Sequence, residues 1–151
     1  MRTIFFLCTL IALHISSAFA EQGSFFVFAR NPFGAAFTNS GPNPITIQFS
    51  ATGSWDWKLN SNTGPIGEPH HCRDHGSCPM NDQNIGALVV KKGPSYYYVG
   101  ESIELMLRVK ETIYFSMNDA LDYFIDNKGS LKIQWICVVN CNFLTPTLDL
   151  F

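Results

Sequence analysis

The chain has 151 residues, of which 46% are hydrophobic and 15% are charged, and its formal net charge at pH 7 is −2. This composition excludes a disordered chain, because there are enough apolar residues to fill a core. The ten Lys and Arg residues are scattered along the sequence. No basic stripe of the kind that nucleic acid requires is therefore formed, and we expect no nucleic-acid partner.

Residues 1–20 have the pattern of a secretory signal peptide. Arg2 precedes an apolar run over residues 4–15, and residues 18–20 read Ala-Phe-Ala, an A-x-A cleavage pattern. The apolar run is too short to span a bilayer, so no transmembrane segment is expected. We predict a secreted (extracellular or periplasmic) protein whose mature part, residues 21–151, forms one domain.

Apolar and polar residues alternate along the mature chain with the two-residue period of β-strands. In residues 44–50, Ile45, Ile47 and Phe49 fall on one face, and residues 102–109 and 131–135 alternate in the same way. No helical periodicity is sustained, and Gly, Pro, Asn and Ser interrupt the chain frequently. About eight strands in an all-β fold, an antiparallel β-sandwich or jelly roll, are predicted. Shorter candidate strands are residues 25–29, 87–90, 96–99 and 113–117.

The longest irregular segment is residues 55–85, here called the long loop, and loops of this length in compact domains are usually functional. It carries three of the four His residues and Cys72 and Cys78. Together with Cys137 and Cys141 these give an even number of cysteines in an oxidising compartment, so two disulfides are expected. Three connectivities are open. The two local pairings close loops that are short enough to form without rearranging the fold.

Three interpretations of the His and Cys residues compete. His71, Cys72, His75 and Cys78 include the thiolate and imidazole ligands that zinc prefers, although their spacing matches no common zinc pattern. A secreted hydrolase with a Cys nucleophile and a His base is the second. The third is a loop closed by Cys72 and Cys78 that presents His and Asp side chains to a ligand. We favour the third, because it needs no free thiol in an oxidising compartment.

Residues 118–130, here called the acidic turn, concentrate oxygen ligands. Within ten residues they contain Asp119, Asp122 and Asp126 with two carboxamides, Asn118 and Asn127. Calcium binds six to eight oxygens from carboxylates, amides and backbone carbonyls, so the turn is a candidate calcium site. The spacing is not that of an EF-hand. Asp, Asn and Gly also build ordinary solvated turns, and this segment alone leaves both interpretations open.

Residues 45–133 resemble the PA-IL-like (LecA-type) family of calcium-dependent, galactose-binding bacterial lectins. Residues 53–57 and then 64–68, which read Gly-Pro-Ile-Gly-Glu, are similar to its W-G-P-x-G-D segment. Residues 86–91 are similar to its G-A-L-V-x-K strand. Residues 118–130 keep Asn-Asp, Asp-Asn and Gly-Ser at the spacing of its N-D-x-P-G-x-Y-x-N-N-x-G-S pattern. The order of the three blocks makes the resemblance moderately specific.

The resemblance implies a galactose-binding-domain-like sandwich that binds Ca²⁺ and galactose-containing glycans without catalysis. A homo-oligomer is also expected, since weak single-site affinity favours multivalency. The implied calcium ligands are the side chains of Asp119, Asp126 and Asn127 and the backbone carbonyls of Tyr123 and Trp57. The implied sugar-binding residues are His71, Asp74 (or His75), Asp119 and Asp126. A Trp ring, of Trp55 or Trp57, is a further candidate for covering an apolar sugar face.

The chain departs from the family pattern at four places. Asp126 replaces an Asn, which adds negative charge and should strengthen calcium binding. Leu121 and Asp122 replace Pro-Gly, the family's Gln is absent, and the long loop is two residues longer. The preferred sugar therefore stays open. A secreted hydrolase and a calcium-stabilised adhesion module that binds no sugar remain as alternatives. Residues 142–151 are interpreted as a tail or short edge strand.

Overall fold

The computed structural model describes residues 21–75 and 78–141, without the side chains of Asp74 and His75. The predicted signal peptide and the predicted tail lie outside the described residues. Eight strands form two antiparallel four-stranded sheets, with the orders β1-β8-β3-β6 and β2-β7-β4-β5. The strands are β1 (Gln22–Phe28), β2 (Ala35–Thr38), β3 (Ile45–Asp56), β4 (Leu88–Lys92), β5 (Ser95–Tyr98), β6 (Ser102–Leu107), β7 (Thr112–Met117) and β8 (Lys128–Val139).

The two sheets pack face to face through the inward side of the predicted alternation. Ile45, Ile47 and Phe49 of β3 are buried, as the two-residue period predicts. Phe49 contacts Phe37 of β2 edge-on, with ring centroids 5.1 Å apart, and Phe115 of β7 at 4.9 Å. Aromatic contacts thus join the sheets, and the predicted all-β antiparallel sandwich is confirmed.

The largest differences from the predictions concern three strands. β3 runs to Asp56, six residues beyond the predicted segment 44–50 and into the long loop, because its pairing with β8 continues to Lys128. β2 was not among the predicted strands, because its four residues include two alanines and carry little β signal. β8 spans Lys128–Val139 and is longer than residues 131–135, since outward-facing Ile136 and Val138 hide the alternation beyond Trp135. β8 also includes residues 128–130, which are the last three residues of the acidic turn.

β3 and β8 are the long central strands of the first sheet, and their pairing fixes one end of the sandwich. The ladder runs to Trp55 opposite Gly129 and Asp56 opposite Lys128. Gly129 has a φ of +86°, and a Cβ there would lie 3.1 Å from Ser54 O and Trp55 Cα. A side chain at residue 129 would therefore be strained and crowded. The end of β3 is thereby held directly beside the acidic turn.

Both predicted local disulfides are present. Cys72 and Cys78 have Cα atoms 6.0 Å apart, and Cys137 and Cys141 have Cα atoms 5.5 Å apart. The first disulfide joins the two ends of a segment that begins with the 3-10 helix Cys72–His75. The second joins Cys137 of β8 to Cys141, just after the strand. In the part of the chain that the structure describes, no helix has the length and apolar character needed to cross a membrane.

Candidate functional site

Asp119 provides a buried carboxylate at the start of the acidic turn. It follows β7 by two residues, and only 2% of its surface is exposed. Its Oδ1 accepts a hydrogen bond from Ala120 N at 2.8 Å, and its Oδ2 accepts one from Asn127 Nδ2 at 2.9 Å. A carboxylate is costly to bury unless donors or cations compensate its charge. Such a group is unusual in a turn that is only a solvated connection.

Asn127 lies against this carboxylate with its own side chain fully buried. Its Nδ2 donates to Asp119 Oδ2 and lies 3.4 Å from Ala29 O and from Met117 Sδ, which fixes the orientation of the amide. Its Oδ1 is buried and has no hydrogen-bond partner among the described residues. Buried acceptors without a partner are rare, and each needs an explanation. An oxygen-seeking cation is one that fits the chemistry of this atom.

Trp57 directly follows β3, and Asn127 directly precedes β8. The β3–β8 ladder ends with Asp56 opposite Lys128, and one further step in the same register places Trp57 opposite Asn127. The Trp57 ring is buried against Gly86, Lys58 Nζ lies 4.3 Å from its centroid, and Trp57 N donates to Ser61 Oγ. Only the backbone of Trp57 is therefore suited to face the acidic turn.

The structure does not support a Trp ring as a sugar platform. Trp55 is 2% exposed and donates from Nε1 to Gly86 O at 2.8 Å, and Trp57 is 8% exposed. Both indoles belong to the core, so this interpretation of the sequence is wrong. Burying the large apolar indole surface in the core is favourable for folding, and a buried ring cannot contact a sugar at the surface.

The remaining two predicted calcium ligands lie in the exposed half of the turn. Tyr123 ends the 3-10 helix Leu121–Tyr123, which Tyr123 N closes by donating to Ala120 O at 2.9 Å. Tyr123 and Asp126 are both exposed. The turn therefore combines a buried half, Asp119 and Asn127, with a solvent-facing half, and this division resembles a cation site that is open to a ligand on one side.

The donor set matters for the kind of ion. Among residues 21–73 and 78–141, no three His, Cys, Asp or Glu side chains come together to hold a metal by themselves. A cation at the acidic turn would have to use the Asn127 amide and backbone carbonyls in addition to Asp119 and Asp126. These are the ligands that calcium takes, whereas zinc requires imidazole or thiolate.

Asn118 joins the long loop to the acidic turn, a role that sequence reasoning missed. Its side chain is fully buried; Oδ1 accepts from Met80 N at 2.9 Å, and Nδ2 donates to Met80 O at 2.9 Å and to Asn84 O at 3.1 Å. Its carbonyl accepts from Gly86 N at 3.0 Å and lies 3.3 Å from Cys72 Sγ. The residue next to Asp119 thus holds the far end of the long loop. No local pattern could have revealed this, because every partner is at least 30 residues away in sequence.

His71 lies on the loop that Asn118 fixes. It forms an isolated β-bridge with Asn84, and its Nδ1 lies 3.0 Å from Asp82 O while the ring stays exposed. An imidazole oriented through Nδ1 and exposed elsewhere can present its other nitrogen to a ligand. Asp74 belongs to the 3-10 helix Cys72–His75, and its side chain, like that of His75, lies outside the described residues.

The disulfide removes the chemistry of two alternatives. Both sulfurs of Cys72 and Cys78 are engaged in the bridge, so neither is present as a thiolate. The zinc set of His71, Cys72, His75 and Cys78 loses two ligands, and the hydrolase based on this loop loses its nucleophile.

Three apolar side chains are exposed on the acidic turn and are here called the apolar rim. Leu121, Tyr123 and Ile125 are 71%, 57% and 78% exposed, while Phe124 between them is buried. The apolar residues at alternate positions 121, 123 and 125 are visible in the sequence, but the sequence does not show that they are exposed. Exposed apolar side chains that ring a polar site are characteristic of ligand-binding surfaces.

No family model matches this sequence, and no curated protein sequence matches it. A solved structure described as "EclA N-terminal domain; PllA-like lectin" has a similar fold, with a TM-score of 0.55 and 22% sequence identity. The likeness covers 76% of this chain and 95% of that one. At this identity the likeness shows a shared β-sandwich fold, and function has to be inferred from the residues of the site.

Proposed function

We propose that this protein is a calcium-dependent, carbohydrate-binding protein that recognises galactose-type sugars. The single observation that carries the proposal is the buried Oδ1 of Asn127, which has no hydrogen-bond partner in the described part of the chain and whose amide is held by the buried carboxylate of Asp119. A sugar site needs more than neutral hydrogen bonds, because water already satisfies the hydroxyls of a free sugar. The fold shared with a PllA-like lectin and the lectin-like spacing of the turn support the same function.

Asp119, Asp126 and Asn127 would hold the ion through their side chains, and Tyr123 and Trp57 through their backbone carbonyls. Calcium, when bound, supplies positive charge that two vicinal sugar hydroxyls can coordinate in place of water. Asp119 and Asp126 would accept hydrogen bonds from the same hydroxyls, and bonds to a charged acceptor are stronger than neutral ones. His71 would contact the exocyclic hydroxyl from the side of the long loop. Asp74 would act from the same side.

The apolar rim would contact the C–H faces of the sugar or of its aglycone. Leu121, Tyr123 and Ile125 are exposed on the same turn as the ligand carboxylates, so a bound glycan would remove part of their surface from water. This burial contributes about 25 cal/mol for each Å² of apolar surface. The rim differs from the family's Pro-Gly pattern at Leu121, so the preferred glycan need not be the family's.

The function is tested by affinity chromatography with the mature chain. We expect retention on galactose-agarose in calcium buffer, and release by excess chelator or by free galactose. A glycan array in the same buffer then identifies the preferred sugar. Retention that persists in chelator would contradict a bridging ion. Calcium binding without binding to any glycan would instead identify a calcium-stabilised adhesion module.

Secretion and homo-oligomerisation belong to the same proposal. Two disulfides suit an oxidising compartment, and several weak sugar sites on one assembly raise avidity without any new contact. Sedimentation of the mature protein, with and without calcium, measures the oligomeric state. A monomer that binds multivalent glycans no more tightly than monovalent ones would contradict this part.

A further inference from the structure

The end of β1 contacts the acidic turn at three alternate residues. Ala29 N donates to Gly129 O at 3.0 Å, and Ala29 O lies 3.4 Å from Asn127 Nδ2. Arg30 donates to Ile125 O from Nη2 at 2.7 Å and from Nε at 3.1 Å. Residues about one hundred positions apart in sequence are thereby joined, and the contacts lie on both sides of the predicted ligand Asp126.

We propose that Arg30 is a positioning residue that holds the acidic turn in its ion-binding conformation before the ion arrives; this inference rests on the proposed calcium site. Two hydrogen bonds from Arg30 reach the backbone of residues 124–126 from a part of the chain 95 residues away. Ile125 itself is 78% exposed and provides no packing anchor. A planar guanidinium that donates twice to one carbonyl fixes the backbone more firmly than a single flexible donor does.

Positioning and charge have opposite consequences for calcium affinity. A cation that contacts the acidic turn repels calcium bound there, so loss of the Arg30 charge alone should strengthen binding. Loss of the contact to Ile125 leaves residues 125 and 126 unanchored between the buried Phe124 and Asn127, and ordering them on ion binding then weakens affinity. The direction of the change in affinity therefore distinguishes the two effects.

The chain offers a matched control for charge. Lys128 lies next to Asn127 and is exposed, and no ion pair or hydrogen bond of its ammonium is found within the described part of the chain. Lys128→Met removes the same charge from the same turn without removing an anchor, whereas Arg30→Met removes both. Arg30→Lys keeps the charge and one donor but loses the planar fork.

The experiment measures calcium affinity by titration calorimetry and amide exchange of residues 119–129 in the calcium-free protein, using the whole mature chain. We expect Arg30→Met to weaken calcium binding about five- to tenfold and to speed exchange, with Arg30→Lys intermediate and Lys128→Met unchanged or up to about twofold tighter. Arg30→Met binding calcium as tightly as wild type, with unchanged exchange, would overturn the proposal. If wild type binds no calcium, the proposed function fails, and exchange in the calcium-free variants still decides whether Arg30 holds the turn.

Discussion

The acidic turn and the long loop are both rich in polar residues, but the fold treats them in opposite ways. The turn buries Asp119 and Asn127, and none of the residues that the structure describes donates to the Asn127 Oδ1. The long loop keeps His71, Arg73 and Asp82 exposed, with Arg73 paired to Asp82 at 2.9 Å. Composition alone does not distinguish the acidic turn from the long loop, but the burial of their polar groups does. A buried acceptor without a donor is costly unless something binds it, whereas an exposed polar group is hydrogen-bonded to water.

This difference assigns different work to the two regions. The buried half of the turn is suited to bind an ion, and the exposed polar groups of the loop are suited to contact a sugar bound to that ion. A substitution of a buried residue of the turn should therefore remove ion and sugar binding together, whereas a substitution of an exposed side chain of the loop should affect only the sugar.

The largest effect is expected from Asp119→Asn. The amide keeps the shape of the side chain but removes a charged ligand and a charged acceptor, so calcium and galactose should each bind about a hundredfold more weakly. Calorimetry with calcium and retention on galactose-agarose measure the two losses. Glu104→Gln, the same change on the exposed side of β6, is the control and should leave both unchanged. Sugar binding at wild-type affinity in Asp119→Asn would mean that the site is elsewhere.

The next prediction concerns stability and Asn118, which joins the acidic turn to the long loop. Asn118→Ala removes three hydrogen bonds of a fully buried side chain and leaves Met80 and Asn84 backbone groups unpaired. We expect a loss of about 2–4 kcal/mol in the free energy of unfolding, measured with urea. Asn84→Ala, which removes one exposed hydrogen bond to Ile66 O, should cost less than about 1 kcal/mol. Equal losses in the two variants would show that Asn118 is not the main link.

A comparable effect should follow from the ion itself. A ligand that binds only the folded state stabilises it by about 2.7 kcal/mol at a free concentration one hundredfold above Kd. The Tm of residues 21–151 should therefore rise with calcium and fall with chelator, and Asp119→Asn, which binds calcium about a hundredfold more weakly, should keep only a small part of the difference. An identical Tm in calcium and chelator for wild type would leave the acidic turn as an ordinary connection.

The smallest effect is expected in the long loop. His71→Ala removes one neutral donor or acceptor to a sugar hydroxyl, so galactose affinity should fall about two- to tenfold with calcium affinity unchanged. His70→Ala removes the neighbouring exposed imidazole and serves as the control. A parallel loss of calcium affinity in His71→Ala would contradict the division of work between loop and turn.

Much of the sandwich could be predicted from the sequence, because alternation at Ile45, Ile47 and Phe49 reports directly on which face is buried. The strand β2 could not, since Ala35 and Ala36 carry almost no preference and are in a strand only because β7 pairs with them. The pairing Cys72–Cys78 was the simplest of several connectivities, and its closeness in sequence favoured it.

The candidate site was predictable only in part. Asp119 and Asn127 were predicted as oxygen ligands from their residue types. The local sequence does not show that their side chains form a hydrogen bond or that the Asn127 Oδ1 is buried without a donor among the described residues. The contributions of Asn118 and Arg30 depend on partners such as Met80 and Ile125, which are 38 and 95 residues away. Such contacts are set by the packing of the sheets, and no spacing rule in a single sequence contains them.

The contact of Cys72 with the carbonyl of Asn118 has a thermodynamic consequence for the oxidation state of the loop. Because the bridge ends 3.3 Å from the residue that precedes Asp119, calcium binding and an intact Cys72–Cys78 bond should each favour the other. Linkage is reciprocal: the factor by which reduction weakens calcium binding equals the factor by which calcium makes the bridge harder to reduce. In a calcium-rich medium the bond should resist thiols that cleave it in chelator, so the metal content of the surroundings would help to set how long the protein stays oxidised.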